Sequence, residues 1–245
     1  MLEMQTKLEY SVASAKESKT AAIIVAAGNA SRMGGADKQM MAIKGIPVLA
    51  RTLLRFQNTS EIDEIIVVTK AEKTEAVAAL AKEYDISKLC CVVCGGATRQ
   101  ESVKNGIDAL NSSVKTVLIH DGARPLIKET IISRVVKEAQ EFGAAACGAR
   151  IYDTVKQIDA DGNIIGTLDR DYLIRIQTPQ GFDLEKYKEA MESCPDISLC
   201  TDDCAVMESA GYKIRLVESD DTNIKVTTPG DVAAAERILA LEEEI

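Results

Sequence analysis

Arg32 and Lys38 are the two residues best suited to chemistry in this chain. They sit in "AAIIVAAGNASRMGGADKQ", where an apolar run gives way to a glycine-bearing loop. Flexible backbone and two cations at the exit of a strand suit an anionic ligand, and such cations stabilise charge building on a phosphoryl centre. Two familiar phosphate loops do not fit. No Gly-Lys-Ser/Thr occurs there, which excludes a P-loop, and Gly28, Ala30 and Met33 break the G-x-G-x-x-G dinucleotide fingerprint.

Further stretches carry polar residues out of apolar runs. "GGATRQES" puts Gly96 and Ser102 where a strand turns into a helix start, and free N–H groups there attract anions. "IHDGARP" puts Asp121 and Arg124 at the end of a buried strand. Asp121 is the candidate metal-bound or hydroxyl-binding carboxylate, since Mg2+ in phosphate sites takes one or two carboxylates together with the phosphates. His120 is the single histidine, and at a buried strand end it reads as structural. "LDRDYLIRIQTPQGF" contributes Arg170 and Thr178, and "YDTVK" contributes Thr154. Lys225 in "TNIKVTTPGD" stands between apolar residues. Burying its charge in a strand is costly, so it is expected to project into a polar cleft.

The elements that must position these residues alternate. "AAIIVAA", "IDEIIVVTK", "KLCCVVC", "KTVLIH", "GAAACGARI" and "KIRLVES" read as strands. "PVLARTLLRFQN", starting at Pro47, "EKTEAVAALAKEY", "RQESVKNGIDAL", "KETIISRVVKEAQEF", "DLEKYKEAMESC", "TDDCAVMESAG" and "PGDVAAAERILALEEE" read as helices. That rhythm predicts an α/β fold, a mostly parallel sheet flanked by helices. It breaks near residue 150, where "VKQI" and "IIGTL" flank "DADGN". Asp161-Gly162 is a hairpin turn signal, so an inserted β-arm is expected at about 150–173, with edges open to a second subunit. Residues 1–20 are polar and mixed in charge, lack the apolar core of a signal peptide, and are expected to be a flexible extension. Residues 21–245 then form one domain.

With 245 residues and 46% apolar content the chain can bury a sizeable core. Its net charge of -9 disfavours broad nucleic-acid binding and makes any local cationic pocket informative. No apolar run approaches the ~20 residues that a membrane-crossing helix needs. Seven cysteines, an odd number without an export signal, point to a reducing cytoplasm. Cys91-x-x-Cys94 and Cys200-x3-Cys204 have spacings open to zinc, but the first lies in a strand, whose side chains alternate between faces. Buried thiols are therefore the expectation.

Taken together and in order, "AAIIVAAGNASRMG", "GGATRQESV", "HDGARP", "DTVK", "QTPQGF", "TDD" and "NIKVTTPGD" resemble the 2-C-methyl-D-erythritol 4-phosphate cytidylyltransferases, over nearly the whole chain after the extension. The resemblance implies a Rossmann-like nucleotidyltransferase fold with a projecting β-arm that builds a homodimer. It implies CTP and a sugar-alcohol phosphate as substrates and Mg2+ held mainly through the CTP phosphates. By position it makes Arg32 and Lys38 the transition-state-stabilising pair. Ala26, Ala27, Gly28, Gly96, Ser102 and Asp121 fall on the nucleotide pocket. Asp121 also falls on the sugar-phosphate side, with Arg124, Thr154, Arg170, Thr178 and Lys225, and the resemblance implies that the arm residues Thr154 and Arg170 act in the partner's site. Ala30, Gly122 and Thr222 depart from common family residues without removing a catalytic group. Two rivals remain at this point: a ribitol-5-phosphate cytidylyltransferase of the same fold and a non-catalytic nucleotide-binding subunit.

Overall fold

The computed structural model describes residues 18–28 and 39–243. In chain order its first elements are β1 (Lys19–Val25), β2 (Ala42–Ile43), β3 (Ile46–Pro47), α1 (Val48–Asn58), β4 (Glu64–Thr69), α2 (Thr74–Glu83), β5 (Leu89–Cys94) and α3 (Arg99–Asp108). They are followed by β6 (Val114–Asp121), α4 (Glu129–Phe142), β7 (Ala144–Arg150), β8 (Val155–Ile158), β9 (Ile164–Leu168) and β10 (Ile174–Asp183). The chain closes with α5 (Leu184–Ser193), α6 (Asp203–Ser209), β11 (Arg215–Glu218) and α7 (Pro229–Glu243).

The main sheet has the order β11-β7-β10-β6-β1-β4-β5. Every pairing is parallel except those of β10, which runs antiparallel to both β6 and β7. From β1 the chain moves outward through β4 and β5, then returns to place β6 on the other side of β1. Strand order therefore reverses beside β1, where open α/β sheets leave a crevice at their carboxyl edge.

Alternation along the strands divides the core. Ala22 and Ile24 of β1 face a cluster with Leu49, Leu53 and Phe56 of α1, Leu80 of α2 and Ile132 and Val136 of α4. Ala21 and Ile23 face the other way, toward Val103 and Ile107 of α3, Tyr187 of α5 and Met207 of α6. Burial on both faces explains why β1 and β4 are apolar almost throughout. A third cluster joins Ala235 and Leu239 of α7 to Ile43, Val48, Leu126 and Val226.

Several details differ from the sequence expectation. β1 begins at Lys19, so the last two residues of the expected extension are sheet; residues 1–17 lie outside the described residues. Pro47 ends the short β2–β3 hairpin and caps α1 from outside, with φ -55° and ψ 144°, so the first helical residue is Val48. That hairpin turns on Lys44 and Gly45, both at positive φ. "QTPQGF", given no element in the sequence, lies inside β10. Lys225 lies in irregular chain, not in a strand. Among the thiols, Cys91, Cys147 and Cys204 are buried, whereas Cys94 at the end of β5 is exposed and Cys194 and Cys200 are half-buried.

The arm forms where the turn signal places it. β8 and β9 pair antiparallel as a separate two-stranded sheet. Gly162 takes φ +85°, and the Asp159 carboxylate accepts from the N–H groups of Asp161 and Asn163 at 3.0 and 2.8 Å.

Candidate active site at the carboxyl edge of the sheet

Three backbone hydrogen bonds set the floor of the site. Ala26 N–H donates to the Val68 carbonyl and Gly95 N–H to that of Thr69, both at 2.7 Å, and Gly122 N–H donates to Val25 at 2.9 Å. The loops leaving β1, β4, β5 and β6 therefore start at one level. Above them lies a cavity of about 420 Å³ lined by Ala27, Gly28, Gly96, Ser102, Asp121 and Lys225 from the expected set, and by Gln39, Lys70, Thr98, Arg99 and Ala123 among others. Its volume is that of a site for a small ligand, ~300–1,000 Å³.

The glycine wall has a packing reason. A Cβ on Gly95 would come within 2.5 Å of the Ala27 Cβ, and one on Gly96 within 2.3 Å of the Glu101 Cβ. Both lie far inside van der Waals contact, so this turn closes against helix α3 only without side chains. Thr98 caps α3 and Glu101 reciprocates, forming a capping box. The Ser102 hydroxyl accepts from Gly96 N–H at 3.1 Å and donates to the Thr98 carbonyl at 2.9 Å. Ser102 is thus a turn into the helix, not at its start, and its hydroxyl shapes the glycine turn.

Asp121 ends β6 beneath the cavity. Its Oδ2 accepts from Lys225 Nζ at 2.9 Å and from Arg124 Nε at 3.4 Å. Burial alone would raise this carboxyl, but Lys225, then Arg124 and Arg99, overcome it and hold the pKa at about 2. Asp121 is therefore ionised throughout the neutral range. Both cation contacts fall on Oδ2, which leaves Oδ1 for a hard cation whose remaining ligands come from phosphate and water. The donor set fits Mg2+ held mainly through a nucleotide.

Behind Asp121 the polar groups close on themselves. Asp121 N–H donates to Thr178 Oγ1 at 3.0 Å. Thr178 Oγ1 lies 3.0 Å from His120 Nδ1, and His120 Nε2 lies 3.2 Å from the Arg124 carbonyl. A carbonyl only accepts, so Nε2 carries the proton and Thr178 donates to Nδ1. His120 is fully buried, packs against Phe56 with the ring centroids 4.9 Å apart and the planes tilted by 53°, and burial depresses its pKa to about 4. It is a neutral strut, as the sequence suggested. The Asn223 side-chain amide donates to Gln177 Oε1 and to the Thr178 carbonyl, each at 3.0 Å, while the Asn223 backbone carbonyl accepts from Arg124 Nη1 at 2.8 Å.

The other expected residues are distributed as follows. Ala26 is buried under the cavity floor. Arg124 and Thr178 support Asp121 from below instead of lining the cavity. Thr154 and Arg170 stand exposed on the arm, where Arg170 donates to the Tyr152 carbonyl. Arg32 and Lys38 lie outside the described residues; the chain on either side of them, at Gly28 and Gln39, lines the cavity.

Arg99 is the residue that sequence reasoning missed. It is the first helical residue of α3, and its Nη2 donates to the fully buried Asp203 at 2.6 Å. Tyr187 donates to the other oxygen of that carboxylate at 2.7 Å. Burial opposes the guanidinium charge, and Asp203 more than offsets it. Nη1 remains buried with no partner among the described residues, a cost that a purely structural ion pair would not carry. The signal was present: Thr98-x-x-Glu101 is a capping-box pattern, and "TDD" supplies the carboxylate.

A mostly parallel sheet with a glycine-walled, cation-bearing cavity at its switch point defines a nucleotidyltransferase-type α/β protein. The family model for 2-C-methyl-D-erythritol 4-phosphate cytidylyltransferase matches residues 20–241. Proteins of that name from Clostridium novyi and Syntrophus aciditrophicus are 43% and 40% identical, over 91% and 92% of this chain and 97% of each relative. The solved 4-diphosphocytidyl-2C-methyl-D-erythritol synthase from Anaerococcus prevotii is 31% identical, with TM-score 0.80 over 91% of this chain and 97% of its own. The cytidylyltransferase structure from Thermus thermophilus is 29% identical, with TM-score 0.72 over 90% and 98%. The chain belongs to the 2-C-methyl-D-erythritol 4-phosphate cytidylyltransferase family.

Proposed function

We propose that this protein transfers the cytidylyl group of CTP to 2-C-methyl-D-erythritol 4-phosphate, yielding 4-diphosphocytidyl-2-C-methyl-D-erythritol and pyrophosphate for non-mevalonate isoprenoid synthesis. A phosphate oxygen of the acceptor attacks the α-phosphorus of CTP in line. The bond from that phosphorus to the bridging oxygen breaks, and pyrophosphate leaves. The nucleophile is already an anion, so no strong base is needed. That suits a site whose one histidine is neutral, buried and engaged on both nitrogens. What the site must do is bring anions together, by positioning and charge neutralisation.

The observation that carries this reading is the Asp121 cluster facing the glycine wall at the switch point. Ala26, Ala27, Gly28, Gly96 and Ser102 build the nucleotide side, and Lys225 and Arg124, gathered on Asp121, serve the acceptor phosphate. Asp121 would hold Mg2+, which neutralises the triphosphate when bound. Arg32 and Lys38 are assigned to the transition state because their loop leaves and rejoins the cavity rim. Thr178 serves the acceptor through Asp121.

The arm supports a homodimer. Tyr152, Ile158, Ile164, Ile165 and Tyr172 are all largely exposed on it, an apolar surface of the kind that subunit contacts cover. In such a dimer Thr154 and Arg170 act in the neighbour's site. Among the described residues no helix is long and apolar enough to cross a membrane. The seven thiols favour a reducing cytoplasm, and the acidic charge disfavours nucleic acid as a partner.

The deciding assay is pyrophosphate release with CTP and Mg2+, comparing methylerythritol phosphate with ribitol 5-phosphate. Release only with the first is expected. Release only with the second would replace the acceptor, and silence with both would return the protein to nucleotide binding without catalysis.

A further inference from the structure

We infer that Cys194 and Cys200 form a reversible dithiol–disulfide site that acts on the nucleotide pocket through the first turn of helix α3. The second half of this inference rests on the cytidylyltransferase reading.

The two thiols are brought together by their own loop. Helix α5 ends at Ser193, Cys194 follows as its cap, and a 3-10 turn over Ile197–Leu199 leads to Cys200. The Asp196 carboxylate accepts from the Ser198 N–H at 3.0 Å and from its hydroxyl at 2.5 Å, and Cys200 N–H donates to the Ile197 carbonyl at 3.2 Å. These bonds fold the segment back so that the two sulfurs lie 3.7 Å apart. Closing a disulfide, at about 2.05 Å, needs little further approach. Both residues are half-buried and so open to a small oxidant, unlike the buried Cys147 and Cys204.

The pair is also differentiated. A hydrogen bond from the Ser209 hydroxyl lowers the Cys194 thiol, whereas burial and then Cys194 itself raise Cys200. Cys194 is the attacking thiolate and Cys200 the resolving thiol. With a low-molecular-weight disulfide as oxidant, Cys194 S⁻ attacks one sulfur and expels the first thiolate. Cys200 then loses its proton to solvent and attacks the Cys194 sulfur, expelling the second. Two protein thiols are oxidised and one external disulfide is reduced to two thiols.

Cys200 is tied to the pocket. Its carbonyl accepts from the Gln100 side chain, and three residues later Asp203 holds Arg99. Arg99 and Gln100 are the first two residues of α3, and Arg99 lines the cavity. Pulling Cys200 toward Cys194 draws on both attachments, so oxidation should weaken nucleotide binding more than it slows turnover.

The test equilibrates the full chain with oxidised glutathione and maps its disulfides by tandem mass spectrometry, then measures pyrophosphate release across CTP concentrations. The expected result is a Cys194–Cys200 bond and a KM for CTP raised at least threefold, both reversed by dithiothreitol. Cys194→Ser and Cys200→Ser should keep the reduced KM and ignore the oxidant. A different pairing, such as Cys194 with Cys204, would overturn the site. Complete Cys194–Cys200 closure with an unchanged KM would overturn its action on the pocket. Reduced protein that releases no pyrophosphate with any acceptor would instead sink the cytidylyltransferase reading, while the mapping still decides whether the pair closes.

Discussion

The wall beneath Asp121 and the β-arm share the expected acceptor-binding residues, and they are built in opposite ways. On the wall, Asp121 is held by Lys225, Arg124 and Thr178, and Thr178 in turn by His120. On the arm, Thr154 is exposed and Tyr172 is 88% exposed, on either side of a hairpin that forms its own sheet. The core of this chain positions the first group. The second stands exposed on the arm, and the proposed homodimer would set it against a partner subunit.

Variants can break or sharpen that contrast. The largest effect is expected in the segment between Gly28 and Gln39. Lys38→Ala should lower turnover by about 10²–10³, the typical loss on removing a preorganised charge. Near-normal turnover in steady-state kinetics would remove Lys38 from the mechanism.

Next comes the pH dependence of the wall. The His120 pKa is depressed to about 4 in the folded protein, against about 6.5 when unfolded. The unfolded chain therefore binds more protons between those values, and stability present above pH 6.5 is lost as the pH falls toward 4, on the order of 3 kcal/mol. Asp121 adds a loss of the same sign below pH 4. Urea unfolding at pH 7 and pH 4.5 measures the first window, and an equal stability at both would refute a neutral buried histidine.

Thr178→Val should cost about 1–3 kcal/mol, because it leaves the Asp121 N–H and His120 Nδ1 unpaired in the core. Its kinetic effect should fall on the acceptor KM more than on the CTP KM. A variant as stable as the parent would show that water or repacking replaces the hydroxyl.

The arm should be the mildest in stability and the most informative in assembly. Ile165→Lys is expected to change the unfolding free energy by less than about 0.5 kcal/mol, as exposed substitutions do, yet to move the protein from dimer to monomer in sedimentation. A dimer that persists would place the subunit contact elsewhere.

Legibility followed the same division. Local signals were strong: apolar runs gave the strands, Asp161-Gly162 gave the hairpin turn, and the polar ends of the runs gave Gly96, Ser102, Asp121 and Lys225, all of which line one cavity. Three things were not readable. The antiparallel course of β10 depends on pairing partners far away in sequence, such as Gln180 with Ile119, 61 residues apart. Arg99 was not singled out, because its partner Asp203 lies 104 residues further on. That Thr178 and Arg124 bond to Asp121 was not readable either, because a sequence lists polar side chains without saying which way they turn.

The sequence by itself determined the alternation of strands and helices, the turn that makes the arm, and the order of the chemical motifs, because periodicity and turn chemistry act over a few residues. Only the tertiary structure decided which of those polar residues meet a ligand and which hold one another. That choice depends on burial: a polar group removed from water must find a partner, and at Asp121, His120, Thr178 and Asn223 the partners come from distant parts of the chain.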